Sequence, residues 1–144
     1  MLTRIRAAVV CVDNAALLCV RLRDPATGVA RLFVPGGGIE PDEQPAAAAV
    51  REAREETGYE VEVDPHSELI ARYPFVWNGV EVDVTTHFFS AALRGARSAQ
   101  GEHQRDEMHL GVEWLPLGRL YSELGFDANI LRALRIQLNL AYRD

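Results

Sequence analysis

Residues 37–59 read GGIEPDEQPAAAAVREAREETGY, from Gly37 to Tyr59, and the rest of the chain is best read outward from them. The stretch opens on glycines, which let a backbone approach other groups closely. Pro45 suits a first helical position, where its missing N–H would be unbonded anyway, and Gln44 before it is a mediocre cap. Ala46 to Thr57 are mostly good helix formers, and Gly58 stands where helices stop on a left-handed residue. At about 100° per residue, Ala46, Ala49, Val50, Ala53 and Thr57 share one narrow stripe that should pack on a sheet. Glu52, Glu55 and Glu56 occupy an adjacent sector, and Arg51 and Arg54 are expected on the other side of the helix.

Three carboxylates at i, i+3 and i+4 repel one another unless a cation sits among them. A divalent metal with hard oxygen ligands would serve, and Mg²⁺ commonly binds a few carboxylates together with substrate phosphates. Taken alone, Arg51 to Glu56 also fits a solvated helix face with an Arg51–Glu55 ion pair.

Upstream, Ile5 to Val12 reads as a buried strand. Asp13-Asn14 reads as a turn and Ala15 to Leu22 as a second strand, the two forming a hairpin. Val29 to Val34 is a short strand that runs into Pro35-Gly36-Gly37-Gly38, a run poorly suited to any regular element. Downstream, Tyr59–Val63, His66–Phe75 and Val80–Leu93 read as strands, with Asn78-Gly79 as a hairpin turn between the last two. Arg94 to Asp106 reads as a mobile polar loop and Leu110 to Leu115 as a strand. Leu117–Leu124 and Asn129–Tyr142 have helical spacing, the latter with a stripe of Ile130, Leu131, Leu134, Leu138 and Ala141. The order implies a mixed α/β chain with a helical C-terminal part.

The chain of 144 residues can bury a core without disulfides, and its size favours one domain. Its net charge of −6 argues against a nucleic-acid polymer as partner, because neutralising phosphates needs a basic face. All 15 basic residues are Arg, which excludes a Schiff-base lysine and a phosphate loop of the G-x-x-x-x-G-K-[ST] type. Cys11 and Cys19 lie in apolar runs and read as buried free thiols. No secretory leader or membrane span is read, so the expected location is the cytoplasm.

The spacing of Gly37, Glu43, Arg51, Glu52, Glu55, Glu56 and Gly58 resembles the signature of the Nudix hydrolases, G-x5-E-x7-R-E-U-x-E-E-x-G-U with U apolar. All seven fixed positions match; at roughly 6% per residue type, chance agreement at one register is about 3 in 10⁹. Ala53 and Tyr59 depart mildly from the usual aliphatic U residues, and both concern packing.

The resemblance implies an α/β fold, an α/β/α sandwich around a mixed β-sheet, as a single domain over residues 1–144. It implies metal-dependent hydrolysis of a nucleoside diphosphate linked to another group, giving a nucleoside monophosphate plus phosphorylated X or pyrophosphate. Mg²⁺ or Mn²⁺ is the implied cofactor, with Glu52, Glu55, Glu56 and the Gly37 carbonyl as ligands. Arg51 pairs with a neighbouring carboxylate in this reading, and Glu43 supports the loop–helix junction. Glu55 is the expected general base or shares that role with a later glutamate. Of Glu102, Glu107 and Glu113, Glu107 has the position expected of the extra carboxylate.

His103 and His109 flank Glu107 and read as solvated loop residues, with a catalytic role for either as the alternative. Trp114 and Phe88 read as core. Arg21 and Arg23 alternate on one strand face, where one would reach a substrate phosphate. Tyr73, Phe75 and Trp77 read as core or cross-strand partners, with Phe75 and Trp77 the candidates to stack on a base.

Pro74 lies sixteen residues past Gly58, a spacing that accompanies ADP-ribose hydrolysis in the family. ADP-ribose, nucleotide sugars and (d)NTPs all remain compatible. The expected partner is a small nucleotide, with a homodimer left open. The alternative reading is a non-catalytic binding or regulatory module on the same fold.

Overall fold

The aliphatic run near the start forms strand β1 (Leu2–Asp13), and Asn14 and Ala15 turn it back into β2 (Ala16–Arg23) in the computed structural model, which describes residues 1–140. Both turn residues take positive φ, 48° and 59°, the twist a two-residue hairpin requires. Then follow β3 (Ala30–Phe33), β4 (Gly36–Gly38) and helix α1 (Pro45–Thr57). The second half holds β5 (Val61–Val63), β6 (Leu69–Trp77), β7 (Val80–Leu93) and β8 (His109–Pro116). Helices α2 (Leu120–Leu124) and α3 (Ala128–Gln137) complete the described elements.

The sheet runs β3-β2-β1-β7-β5, with β4 on β1, β6 on β7 and β8 on β2. Strands β1 and β7 are parallel, from Leu2 opposite Val82 to Cys11 opposite Ala91. The other pairings are antiparallel, so the sheet is mixed. Ala7 to Cys11 are all buried because both faces of β1 are covered, which explains the unbroken apolar run. Ala8 and Val10 face one core with Leu17, Cys19, Phe88 and residues of α2 and α3. Ala7, Val9 and Cys11 face the other with Ala48, Ala49 and Ala53 of α1 and with Phe89. The result is the α/β/α sandwich expected from the motif.

Several local expectations change. The three glycines, read as unsuited to regular structure, form β4, because Arg6 to Ala8 pair with them in antiparallel register. Tertiary pairing here overrides the low strand preference of glycine. The strand expected from His66 starts at Leu69, since Pro65–Ser67 form a 3₁₀ turn capped by Asp64. Helix α3 ends at Gln137, and Ala141 and Tyr142 lie outside the described residues.

The segment Arg94–Asp106, read as mobile, is fastened at several points. Arg97 pairs with Asp13 and lies over the Trp114 ring at 4.1 Å. The Gln100 amide donates to the Thr57 carbonyl, Gly101 N–H to Gly58 at 2.7 Å, and Gln104 N–H to Glu55 at 2.9 Å. Free carbonyls at a helix end need such donors. The loop therefore supplies the C-terminal cap of α1.

Candidate active site

Helix α1 lies against β1 and β4 on its small residues, with Ala48, Ala49, Ala53 and Thr57 fully buried. Ala48 lies outside the narrow stripe read from the sequence, and so does Glu56, which is 7% exposed. A buried carboxylate needs hydrogen-bond donors. Glu56 accepts from the Gly36 N–H at 2.7 Å through Oε1, and Oε2 lies 3.3 Å from Nε2 of His109. One residue on, a Cβ at Gly37 would overlap the Glu52 carboxylate. The glycine strand is thus the surface against which two helix glutamates are seated.

Arg51, expected on the other side of the helix, lies among the glutamates: as the i,i+4 neighbour of Glu55 it is only about 40° from that residue on the wheel. Its long side chain carries the guanidinium on to Glu43 and Glu52. It donates to Glu43 through Nε at 2.8 Å and Nη2 at 2.9 Å, to the Gly38 carbonyl at 3.0 Å, and to Glu52 at 2.9 Å. Glu55 is 3.2 Å away, the i,i+4 pair. The Arg51 contact, with the Glu40 N–H second, pushes the Glu43 carboxyl down to about 2. The Glu52 carboxyl is shifted up, first by burial and next by the charge of Glu56.

The Glu55 side chain is half exposed, and its backbone carbonyl accepts from Gln104 of the fastened loop. That loop carries Glu107 to a cavity of about 550 Å³, which Glu107 lines with Glu56, His109, Asp106, Leu22 and Trp77. Asp106 shapes the turn into β8 by accepting from the N–H groups of Met108 and His109, and these bonds hold its carboxyl below the usual range. His109, read as a solvated loop residue, is only 4% exposed and is the first residue of β8. Extending the apolar strand Leu110–Leu115 by one residue would have found it. His103 does lie in the loop.

A second cavity of about 410 Å³ adjoins the first, since Leu22 and Trp77 line both. Phe33, Phe75, Tyr73 and Trp77 line it together with Arg4 and Arg6. Phe33 meets Phe75, Trp77 and Phe126 edge to face. Phe75 and Trp77, two residues apart on one strand, are nearly parallel at 6.3 Å between centroids. Arg4 and Arg6 escaped the sequence reading, although they alternate with Leu2 on one strand face.

Arg21 and Arg23 line neither cavity. Arg21 forms a two-pronged pair with Glu113, at 2.5 and 3.0 Å. It lies on the same strand face as Leu17 and Cys19, toward α2, and its Nη2 is 3.9 Å from Glu123. Arg23 donates to the Gly28 carbonyl. Trp114 is half-buried beside Tyr59, and Phe88 is core.

Among the described residues, no three His, Cys, Asp or Glu side chains are gathered as a ready metal cage. Arg51 lies between Glu52 and Glu55 and draws them to itself. The donor set still fits a hard divalent cation. It consists of carboxylates with nearby backbone carbonyls, and hard cations prefer oxygen. The Glu52 carboxylate occupies a cradle under Gly37 that any side chain would fill. Its repulsion with Glu56 is the kind a cation relieves.

Comparison with known proteins bears on the family and the fold. The chain is similar to an ADP-sugar pyrophosphatase of Mus musculus, 37% identical over 82 residues, which are 57% of this chain and 35% of that protein. The match thus spans about a third of the relative's length. In fold, the chain resembles a Nudix hydrolase from Nitrosomonas europaea, with TM-score 0.69 at 18% identity, covering 97% of this chain and 92% of that one. It also resembles an Ap4A hydrolase of C. elegans, with TM-score 0.65 at 17% identity, covering 94% and 98%. The family model of the NUDIX domain matches residues 2–134. With that match over nearly the whole length, the chain belongs to the NUDIX domain family, the family of hydrolases that the motif at Gly37–Tyr59 predicted.

Proposed function

We propose that this chain is a metal-dependent pyrophosphohydrolase that cleaves a nucleoside diphosphate linked to another group, releasing a nucleoside monophosphate and phosphorylated X or pyrophosphate. One observation carries the reading: the cavity holding Glu56 and Glu107 adjoins an aromatic, arginine-lined cavity through Leu22 and Trp77. A molecule with an anionic pyrophosphate at one end and a flat base at the other matches this pair.

In this proposal Glu52, Glu55, Glu56 and the Gly37 carbonyl hold Mg²⁺ or Mn²⁺. The bound ion neutralises phosphate charge and lowers the pKa of the attacking water. Glu55, half exposed beside Glu52 and Glu56, takes the proton from that water, alone or together with Glu107. Arg51 and Glu43 keep the glutamates in register on a rigid helix. Phe75 and Trp77 stack on the base, and Arg4 and Arg6 line the same cavity. Arg21, tied to Glu113, is a weaker candidate for substrate than the sequence suggested.

The mouse relative's name favours an ADP-sugar such as ADP-ribose as the first substrate to try, with nucleotide sugars, dinucleoside polyphosphates and (d)NTPs next. No described helix is long and apolar enough to cross a membrane. The proposal further takes residues 1–144 as one domain, working in the cytoplasm on a small nucleotide, with no nucleic-acid polymer as partner and a homodimer as a compatible assembly.

The test is a mass-spectrometric product screen with Mg²⁺ over a pooled panel of these compounds, run beside Glu55→Gln. Loss of one compound with a monophosphate appearing only in the wild-type sample supports the reading. No turnover with Mg²⁺ or Mn²⁺, together with a ligand-induced rise in Tm, points to a non-catalytic binding module. Near-normal turnover by Glu55→Gln removes Glu55 as the base.

A further inference from the structure

We propose that His109 is the positioning residue of the candidate active site: its Nε2–H, paired with the Gly36 N–H, fixes the Glu56 carboxylate in the orientation that a divalent cation needs. The inference rests on the reading of Glu56 as a cation ligand and adds a residue that lies outside the Nudix motif.

Glu56 is the most enclosed of the three helix glutamates, and its two oxygens are held from opposite elements. Oε1 takes the Gly36 N–H at 2.7 Å, a backbone donor that no substitution at Gly36 can remove except proline. Oε2 faces His109 Nε2 at 3.3 Å. An ionised carboxylate only accepts, so Nε2 is the donor in this contact. Nδ1 is buried without a hydrogen-bond partner. Burying a ring nitrogen unpaired is unfavourable, so packing does not explain a histidine here. The contact to Glu56 does.

The backbone that carries the ring is fixed at two points. The His109 N–H donates to Asp106 at 2.9 Å, and the residue pairs with Leu22 at the irregular end of the β2–β8 ladder. One N–H on each oxygen restrains rotation of the carboxylate about its last bond, and each oxygen keeps a lone pair free. Partners that orient a metal ligand in this way typically matter about 10- to 100-fold in metal affinity.

The experiment is a Mn²⁺ titration followed by the free-ion EPR signal, with Tm measured alongside, for wild type, Glu56→Gln, His109→Gln, His109→Asn and His109→Leu. A Gln amide can set an N–H near the place of Nε2, whereas an Asn amide reaches only the place of Nδ1. His109→Gln is expected to bind Mn²⁺ within about 3-fold of wild type, and His109→Asn and His109→Leu about 10-fold or more weakly. Equal Mn²⁺ binding by wild type and all three His109 variants overturns the proposal. So does weakening of Gln and Asn alike, which marks a packing role. Should His109→Leu fail to fold, the Gln–Asn comparison decides. If wild type binds no Mn²⁺, or Glu56→Gln binds as wild type does, the cation reading itself fails and takes this proposal with it.

Discussion

Glu43 grips Arg51 with both carboxylate oxygens, at 2.8 and 2.9 Å, and the same guanidinium then spans to Glu52. The fork geometry suits arginine and no other cation. It joins the loop before α1 to the middle of the helix. Because Arg51 holds the Glu43 carboxyl at about 2 against an ordinary 4.5, folding is favoured by that carboxylate at any pH above about 4.5. The contribution is lost as pH falls toward about 2. Glu43→Gln should therefore have a lower Tm than wild type at neutral pH, with a gap that narrows below about pH 4.5. Thermal melts between about pH 7 and pH 3 check this, and a gap that stays constant contradicts it.

Gly37→Ala is expected to damage the site while leaving the fold. Its Cβ would overlap the Glu52 carboxylate and force that side chain away from Arg51. A displacement near 1 Å can reduce turnover about 100-fold. Steady-state kinetics beside circular dichroism would show a folded protein with low kcat. Normal kcat would mean that Glu52 does not act from this position.

Gly58→Ala should instead destabilise the whole chain. Gly58 has φ of 76°, where an L-residue costs about 1–2 kcal/mol. A Cβ there would also strike the Gly101 carbonyl, so the loop that caps α1 must lift. The combined loss should exceed about 2 kcal/mol and release the loop, read as faster proteolysis between Gly95 and Asp106. A stability within about 0.5 kcal/mol of wild type would contradict the capping role of the loop.

Trp77→Ala tests the adjoining cavities. Base stacking contributes about 1–3 kcal/mol per base, which corresponds to a KM raised roughly 5- to 150-fold. The change should fall on KM more than kcat, because Trp77 is assigned to the base and not to the reacting phosphate. An unchanged KM would move the base elsewhere.

Both cysteines should resist a thiol reagent until the protein unfolds. Burial raises the Cys11 thiol to about 11 and the Cys19 thiol to about 12, and the thiolate is the reactive form. Titration with a chromogenic disulfide should report no fast thiol in the native state and two in denaturant.

The elements legible in the sequence were those written in local signals. Helix α1 has Pro45 at its start and Gly58 at its end, and the structure keeps both. Strand β7 runs from Val80 to Leu93 as read, because Asn78-Gly79 marks one end and alternation marks its length. What escaped depends on contacts between distant segments. No local rule turns Gly36–Gly38 into a strand; Arg6 to Ala8 do that from thirty residues away. A helical wheel sets Arg51 about 40° from Glu55, but it cannot show the reach of the guanidinium to Glu43 in the loop before the helix. His109 looked like loop because a polar run precedes it, and only the packing of β8 beside α1 brings it to Glu56.

The parallel pairing of β1 with β7 also carries a lesson about time. Strand β1 is made before its partner β7, and the whole of β2 to β6 is made between them. Pairing so distant in sequence slows folding, because a long stretch of chain must be closed before the contact rewards it. The hairpin of β1 and β2 can form early. The seat for Glu52 and Glu56 rests on β4, which itself pairs with β1, so its support passes through the strand that β7 covers. A nascent chain halted before Val80 should then remain open to protease at β1 and β4, while one extended past Leu93 closes over both.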